Sequence, residues 1–240
     1  MNSFWEDYWE ENEKIQSDSD LISHVMQQRA KEYSYKLLGN ISGKKILDVG
    51  CGSGSQSVEF ASRGAIVTAI DVVDSSVRTT QSRLEKFGNH HSTHIADVEE
   101  IDKLYRGYFD LVYINCMLTH VTGKDKAIES CKCALKEEGG KIVVKENLSS
   151  WIFRFPYRTF SKFKDANLRY IDRDFRRIDR ENTRNFYLIS SLFLGLYYLL
   201  PHKIANLIVE KIAYLDDRLF LKIPFISRAS WVIVFEINTR

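Results

Sequence analysis

The most informative segment of this 240-residue chain is Lys45–Gln56, which has the sequence K-I-L-D-V-G-C-G-S-G-S-Q. The apolar run Ile46–Val49 predicts a buried strand, and a helical pattern begins after glycines 50, 52 and 54. Glycine has no Cβ, so the backbone can adopt positive φ and a ligand can approach the main chain closely. A helix N-terminus adds unpaired N–H groups and a positive dipole. The stretch therefore predicts a strand–turn–helix unit whose turn binds a ligand.

Outward from this unit, the chain alternates between strand and helix patterns. The segment 1–40 and, between the strands, residues 55–62, 74–87 and 124–135 have helical patterns, and a further helical spacing covers 204–214. The predicted strands are 46–49, 66–70, 91–96, 109–115, 141–145 and 230–237. Almost wholly apolar strands between helices are typical of a parallel sheet covered on both faces. We therefore predict an α/β, Rossmann-like sheet with a final antiparallel strand; no sixth strand before it is recognisable.

Composition and charge exclude several classes of protein. The net charge of +2 suggests no general affinity for nucleic acid. The four cysteines have neither disulfide nor zinc spacing, so we expect reduced thiols in a cytoplasmic protein and no metal site. Residues 1–20 are acidic and aromatic, which does not match a signal peptide.

The glycine-rich segment 48–54, D-V-G-C-G-S-G, resembles the first motif of class I methyltransferases, which use S-adenosylmethionine. Its G-x-G-x-G spacing differs from the dinucleotide fingerprint G-x-G-x-x-G, and the Gly-Lys-Ser/Thr of a P-loop does not follow it. Taken alone, the motif also fits a glycine-rich turn in another α/β protein. The resemblance covers roughly residues 40–146 and implies a methyltransferase fold with S-adenosylmethionine as its cofactor.

Further site residues come at the ends of successive predicted strands. Asp71 lies about twenty residues beyond the glycine turn, where an acidic side chain can accept both ribose hydroxyls of a cofactor. The resemblance implies that Asp97 meets the adenine amino group and that Val98 packs on its ring. It also implies that Asn115, Cys116 and Met117 lie beside the methionine part. The cofactor-binding residues predicted in this way are Asp48, Gly50, Cys51, Gly52, Gly54, Asp71, Val72, Asp97, Val98, Asn115 and Cys116.

A narrower resemblance concerns the methyl acceptor. Residues 113–148 are similar to the corresponding stretch of the protein N-terminal α-amine methyltransferases. In that family the same order appears: an H-L-T-D-like turn, a helix ending R-C-K-x-x-L and a strand closing in I-V-x-K-[DE]-N. The resemblance implies that His120 and Asn147 contact the acceptor. The family's Asp-rich segment has only residues 170–177 as a counterpart, after a longer gap and without Ser-Ser. His120 is the predicted general base, because its ordinary pKa lies near operating pH; packing of the following helix is the alternative.

The tail leaves three interpretations open. Residues 151–185 are aromatic and arginine-rich, and the apolar run 186–200 is shorter than the ~20 residues that cross a bilayer. The part of the chain after Asn147 is predicted to form one of three things: a helical cap, an interfacial membrane patch or a hydrophobic acceptor pocket. We favour a cap that also forms the acceptor pocket, with peripheral membrane contact through 186–226 as an open alternative.

Together these features predict one methyltransferase domain over residues 1–240. It comprises a helical N-terminal segment (1–40), an S-adenosylmethionine-binding core (41–148), a helical cap (149–228) and a final strand (229–240). The predicted reaction is methyl transfer to an oxygen or nitrogen of a small or glycan- or lipid-linked acceptor. The alternatives are a protein N-terminal α-amine methyltransferase and a catalytically silent S-adenosylmethionine-binding scaffold, which the lack of an N-P-P-Y acceptor motif motivates. The oligomeric state is left open.

Overall fold

A computed structural model describes residues 19–147, 178–186, 200–216, 218, 232–237 and 239 of the chain. Its centre is a seven-stranded sheet in the order β3-β2-β1-β4-β5-β7-β6. The strands are β1 (Lys45–Val49), β2 (Ile66–Asp71), β3 (Ser92–Ile95), β4 (Leu111–Asn115), β5 (Lys141–Asn147), β6 (Arg180–Phe186) and β7 (Val232–Ile237). Strands β1 to β5 pair in parallel, whereas β7 runs antiparallel to both β5 and β6.

Helices cover both faces of the sheet, which is why its central strands are apolar on both sides. The helices are α1 (Ser19–Leu38), α2 (Ser55–Ser62), α3 (Asp74–Leu84), α4 (Lys124–Ala134) and α5 (His202–Leu215). On one face, Phe60 and Tyr113 form a core with the end of α1, and Ser34 of α1 lies 3.2 Å from the Tyr113 hydroxyl. On the other face, Phe109 and Ile128 belong to a second core that includes α4.

The predicted architecture is confirmed, and the strands and helices predicted along the core begin and end close to the observed bounds. Strand β6 was not predicted. The segment predicted as a helical cap (149–228) contains β6, so it is not entirely helical. Strand β6 reads R-E-N-T-R-N-F and buries only Phe186, because it is the edge strand and a bulge interrupts its pairing with β7. A polar, irregular edge strand lacks the apolar alternation that identifies strands in a sequence.

Other tail predictions lie outside the described residues. These are the apolar runs over 187–199 and 219–226, the Asp-rich counterpart at 170–177, and the aromatic N-terminus at 1–18. The predicted helix at 204–214 is present as α5. Within the described ranges, no helix has both the length and the apolar character that crossing a bilayer requires.

Candidate active site

The candidate site lies along the edge where the parallel strands end. The Ala96 N–H donates to the Asp71 carbonyl (3.0 Å) and joins the end of β3 to β2, while the Cys116 N–H donates to the Lys145 carbonyl (2.9 Å) and joins β4 to β5. In open α/β sheets, ligands bind at this carboxyl edge. The predicted site residues at or just beyond these strand ends are Asp48, Gly50, Cys51, Gly52, Gly54, Asp71, Val72, Asp97, Val98, Asn115, Cys116, His120 and Asn147.

The glycine turn, residues 50–54, follows β1 at the middle of this edge. Gly50, Gly52 and Gly54 all have positive φ, at 71°, 51° and 78°. The position that a Cβ on Gly50 would occupy is 2.5 Å from Cγ of Met117, so the turn packs directly against the residue that follows β4. Gly54 begins α2 without a side-chain cap, which leaves this helix N-terminus to other acceptors.

Asp71 joins the end of β2 to the glycine turn. Its carboxylate accepts the Gly52 N–H at 2.9 Å and the Val73 N–H at 3.0 Å. Burial raises the pKa of Asp71, and these N–H groups oppose the rise. Because each carboxylate oxygen carries two lone pairs, Asp71 retains acceptor capacity for hydroxyl groups of a ligand. Val72, the next residue, exposes its side chain at this edge.

Asp48 has a different environment from Asp71. Its side chain is buried beneath the glycine turn and accepts the Ser57 hydroxyl at 2.5 Å. Burial raises the pKa of Asp48 to about 6, although the Ser57 hydroxyl opposes that rise. Cys51 is also buried, and its N–H donates to the Ile70 carbonyl. Their contacts make both residues internal supports of the turn.

The segment after β3 carries Asp97 and Val98. Asp97 is exposed and caps a short 3-10 helix (Val98–Lys103), accepting the Glu99 N–H at 2.9 Å. Val98 is buried and belongs to the apolar core. The structure thus places an exposed acidic side chain beside a buried apolar one at the predicted adenine position.

The ends of β4 and β5 are joined by a buried polar contact. Nζ of Lys145 donates to Oδ1 of Asn115 at 3.0 Å, and Lys145 is almost completely buried. Burial lowers the pKa of Lys145. Cys116 adopts a φ of 51°, and burial raises the pKa of its thiol to about 11.

His120 lies on a short 3-10 helix (Leu118–His120) directly after β4. Its imidazole is partly buried, and burial lowers its pKa to about 4, while a hydrogen bond with the Cys116 backbone opposes the shift. The argument from an ordinary histidine pKa therefore does not hold at this position. His120 is neutral at physiological pH, so one ring nitrogen can accept a hydrogen bond.

Glu146 is a site component that the sequence interpretation missed. Its side chain is fully buried and accepts the Leu118 N–H at 2.9 Å and the Asn147 N–H at 3.1 Å. Burial raises the pKa of Glu146 to about 7. Glu146 thereby joins the two predicted catalytic positions, the turn that carries His120 and the strand end at Asn147. Oδ1 of Asn147 is buried and has no hydrogen-bond partner among the described residues.

The missed residues carry a weak sequence signal. Lys145 and Glu146 are consecutive ionisable residues at the end of an otherwise apolar strand, V-V-K-E-N. Ionisable side chains are seldom buried unless they have partners, so such a pair suggests specific contacts. Met117 differs from this pair: the resemblance already implies that it lies beside the methionine part, and the structure adds its close approach to Gly50, which depends on how two distant loops pack.

The fold and the glycine turn, with acidic residues at the next two strand ends, define a class I S-adenosylmethionine-dependent methyltransferase. Comparison with known families agrees: a methyltransferase domain family matches residues 40–181. The chain therefore belongs to this methyltransferase family, and the predicted class, fold and cofactor are confirmed at that level.

Curated relatives share the family. Residues of this chain are 35% identical over 107 residues to a ubiquinone biosynthesis O-methyltransferase of Nitrosomonas europaea, covering 45% of this chain and 46% of the relative. A protein of the same name from Bordetella avium is 30% identical over 133 residues, covering 54% and 55%. The chain spans about half the length of the curated relatives it matches.

Solved structures share the fold. Magnesium protoporphyrin IX methyltransferase from Synechocystis PCC 6803, with bound S-adenosylhomocysteine, is similar with a TM-score of 0.58 and 16% identity, over 98% of this chain and 94% of that chain. The 1,6-didemethyltoxoflavin-N1-methyltransferase of Burkholderia thailandensis is similar with a TM-score of 0.56 and 13% identity, over 98% and 85%. At these identities the likeness shows the fold alone.

Proposed function

We propose that this protein transfers a methyl group from S-adenosylmethionine to an oxygen or nitrogen of a small-molecule acceptor, with a hydroxyl oxygen favoured. The observation that carries the proposal is the order of groups along one sheet edge. Asp97 follows β3, Asp71 ends β2, the glycine turn follows β1, and His120 follows β4. Their order matches the order in which such a cofactor would present adenine, ribose and methionine.

The residues present fit this cofactor. Asp71 offers carboxylate lone pairs for the ribose hydroxyls. The N-terminus of α2, capped by no side chain at Gly54, offers N–H groups and a positive dipole for a carboxylate. Asp97 is exposed beside the edge, where its carboxylate would accept the adenine amino group. Asp48 and Ser57 would hold the turn from beneath.

When bound, S-adenosylmethionine supplies an electrophilic methyl group on a sulfonium, so the protein needs to orient the acceptor and remove its proton. His120 is the proposed catalytic residue, because it follows β4 at this edge and its neutral ring can accept a hydrogen bond, and then the proton, from an acceptor hydroxyl. Burial makes it a weaker base than an ordinary histidine. The amide oxygen of Asn147 is buried and has no partner among the described residues, which suits a hydrogen bond from the acceptor.

Oxygen is favoured over nitrogen because the matched curated relatives carry the name O-methyltransferase. A glycan- or lipid-linked acceptor is a narrower version of the same proposal. The second candidate, a protein N-terminal amine, derives from the likeness of residues 113–148 to that family. Its Asp-rich counterpart lies outside the described residues.

Calorimetry with S-adenosylhomocysteine tests the cofactor site. We expect the intact protein to bind and Asp71→Ala to bind at least about tenfold more weakly, since hydrogen bonds to a charged group contribute roughly 1.5–3 kcal/mol. Asp110→Ala is the matched control. Asp110 also accepts a backbone N–H, from Lys45 at 2.8 Å, but at the opposite end of the sheet. No binding by the intact protein, or equal binding by Asp71→Ala, would refute the cofactor assignment.

Transfer of a labelled methyl group tests the acceptor class. The purified protein is incubated with labelled S-adenosylmethionine and either small-molecule hydroxyl and amine compounds, a total lipid extract, or peptides with free N-termini. Label in the small-molecule fraction is the expected result. Efficient labelling of peptides would overturn it in favour of the N-terminal amine methyltransferase. Cofactor binding without transfer to any acceptor, including a whole-cell extract, would support a silent scaffold.

A further inference from the structure

The loop that carries His120 is held at both ends by carboxylates from other parts of the fold. We call residues 117–123 the His120 loop. At its first turn, the Leu118 N–H donates to Oε2 of Glu146 at 2.9 Å. At its end, the Gly123 N–H donates to Oε1 of Glu99 at 2.9 Å. The two acceptors belong to different segments, since Glu146 lies in β5 and Glu99 follows β3.

The first contact, between the Leu118 N–H and Glu146, lies in the buried core. Glu146 is fully buried, and both of its oxygens accept backbone N–H groups, one from the loop and one from Asn147. A buried carboxylate is costly unless such donors satisfy it. Leu118 itself is buried in the apolar core, so its side chain and its N–H fix the same point of the loop.

The second contact depends on a close approach of the backbone. A Cβ on Gly123 would lie 2.6 to 2.9 Å from the carboxylate atoms of Glu99, so only glycine admits this contact unchanged. The N–H of Glu99 donates to the side chain of Asp97 at 2.9 Å. The end of the His120 loop is therefore linked, through one residue, to the acidic side chain proposed to meet adenine.

We propose that Glu146 and Glu99 are positioning residues, which hold the His120 loop so that His120 keeps one orientation relative to the glycine turn. At the start of the loop, Met117 packs against Gly50 and supplies a third fixed point. Neither carboxylate needs to touch the acceptor. Their effect on the reaction passes through the orientation of His120, so this inference rests on the proposed function.

The kinetic test compares Glu146→Gln, Glu99→Gln and Gly123→Ala with Glu100→Gln. Glu100 is the matched control, because it adjoins Glu99 but is exposed and pairs with Lys103 of its own helix. Misplacing a catalytic group by about 1 Å can cost roughly a hundredfold in rate. We expect kcat to fall about tenfold or more in Glu146→Gln and Gly123→Ala, with an unchanged Kd for S-adenosylhomocysteine. Glu99→Gln should also lower kcat. Glu99→Asp, which keeps a carboxylate, should retain a higher kcat than Glu99→Gln.

A second readout does not depend on activity. In the wild type, the ring signals of His120, assigned by NMR with His120→Gln, should titrate near pH 4, because burial lowers its pKa. Release of the loop should expose the ring and raise its pKa by about one pH unit or more toward its ordinary value. Glu100→Gln should leave the titration unchanged.

The two readouts separate the outcomes. A wild type that titrates as expected but methylates no acceptor refutes the proposed function and leaves the positioning proposal to the NMR result. Glu146 has a pKa of about 7 and is protonated where His120 titrates, so Gly123→Ala and Glu99→Gln decide this readout. Unchanged His120 titration in both of these variants overturns the positioning proposal, whatever the activity. If Glu146→Gln does not fold by circular dichroism, Gly123→Ala and Glu99→Gln, which alter the partly exposed contact, decide the outcome alone.

Discussion

The proposed cofactor side and the proposed acceptor side of the sheet edge are built by different means. On the cofactor side, the glycine turn adopts positive φ and donates a backbone N–H to Asp71, a partly exposed acid. On the acceptor side, buried ionisable groups hold the structure together, with Lys145 against Asn115 and Glu146 against the His120 loop. Backbone substitutions should therefore affect the first side most, whereas replacement or titration of a buried ionisable side chain should affect the second.

The largest expected effect comes from His120 itself. We expect His120→Gln to lower kcat by about a hundredfold or more, because glutamine accepts a hydrogen bond but cannot take a proton, and general-base catalysis contributes roughly 10²–10⁴-fold. Binding of S-adenosylhomocysteine, measured by calorimetry, should not change. His90→Gln, in the exposed turn before β3, is the control. Loss of cofactor binding in His120→Gln would show that His120 also belongs to the cofactor side, against the division proposed here.

A second prediction concerns the pH dependence of stability. Burial raises the pKa of Glu146 from 4.5 to about 7 in the folded state. The folded protein therefore binds this proton more tightly, and the resulting stability is present below pH 4.5 and is lost as pH rises through about 7. Between pH 5 and pH 8 the wild type should lose about 2–3 kcal/mol from this group.

Urea unfolding at pH 5 and pH 8 checks that prediction. In Glu146→Gln this part of the pH dependence should disappear, while Asp48, whose pKa burial also raises, titrates in both proteins and cancels from the difference. Glu129→Gln, on the exposed side of α4, should behave as the wild type does. An identical pH dependence in wild type and Glu146→Gln would show that the buried carboxyl does not titrate in this range.

The third prediction tests the cofactor side. Gly50→Ala should weaken S-adenosylhomocysteine binding by about tenfold or more, since a positive φ costs other residues roughly 1–2 kcal/mol and the new Cβ would displace Met117. Gly139→Ala is a matched control, because Gly139 has a φ of 76° but no atom within 4 Å of the added Cβ. If both variants bind equally, the approach of Met117 to the turn has no role in cofactor binding.

The smallest effect is expected at an exposed ion pair. Arg78 pairs with Asp74 on the outer side of α3, and both side chains are largely exposed. Such i,i+4 pairs contribute about 0.3–0.5 kcal/mol, so Arg78→Ala should lower the free energy of unfolding by no more than that amount. Thermal unfolding and calorimetry measure stability and cofactor binding. A marked loss of stability or of cofactor binding in Arg78→Ala would show that the outer face of α3 contributes to one of the two sides.

The core of the fold could be predicted because its signals are local. Apolar runs of four to seven residues, broken by glycines and followed by helical patterns, predicted β1, β2, β4 and β5 as successive strands along the chain. Strand β6 could not be predicted, because its seven residues are mostly polar and it is held by pairing with β7, some fifty residues later in the chain. Edge strands of this kind obtain their structure from a neighbour, not from their own pattern.

The candidate site divides in the same way. The sequence alone predicts the glycine turn and the acidic residues at the next two strand ends, since tight turns and strand ends need particular residue types at particular spacings. Folding is what buries Asp48 under the turn, lowers the pKa of His120 through burial, and brings Glu146 into hydrogen-bond contact with the His120 loop. Burial and pKa depend on which segments pack around a side chain, and that is a property of the whole fold.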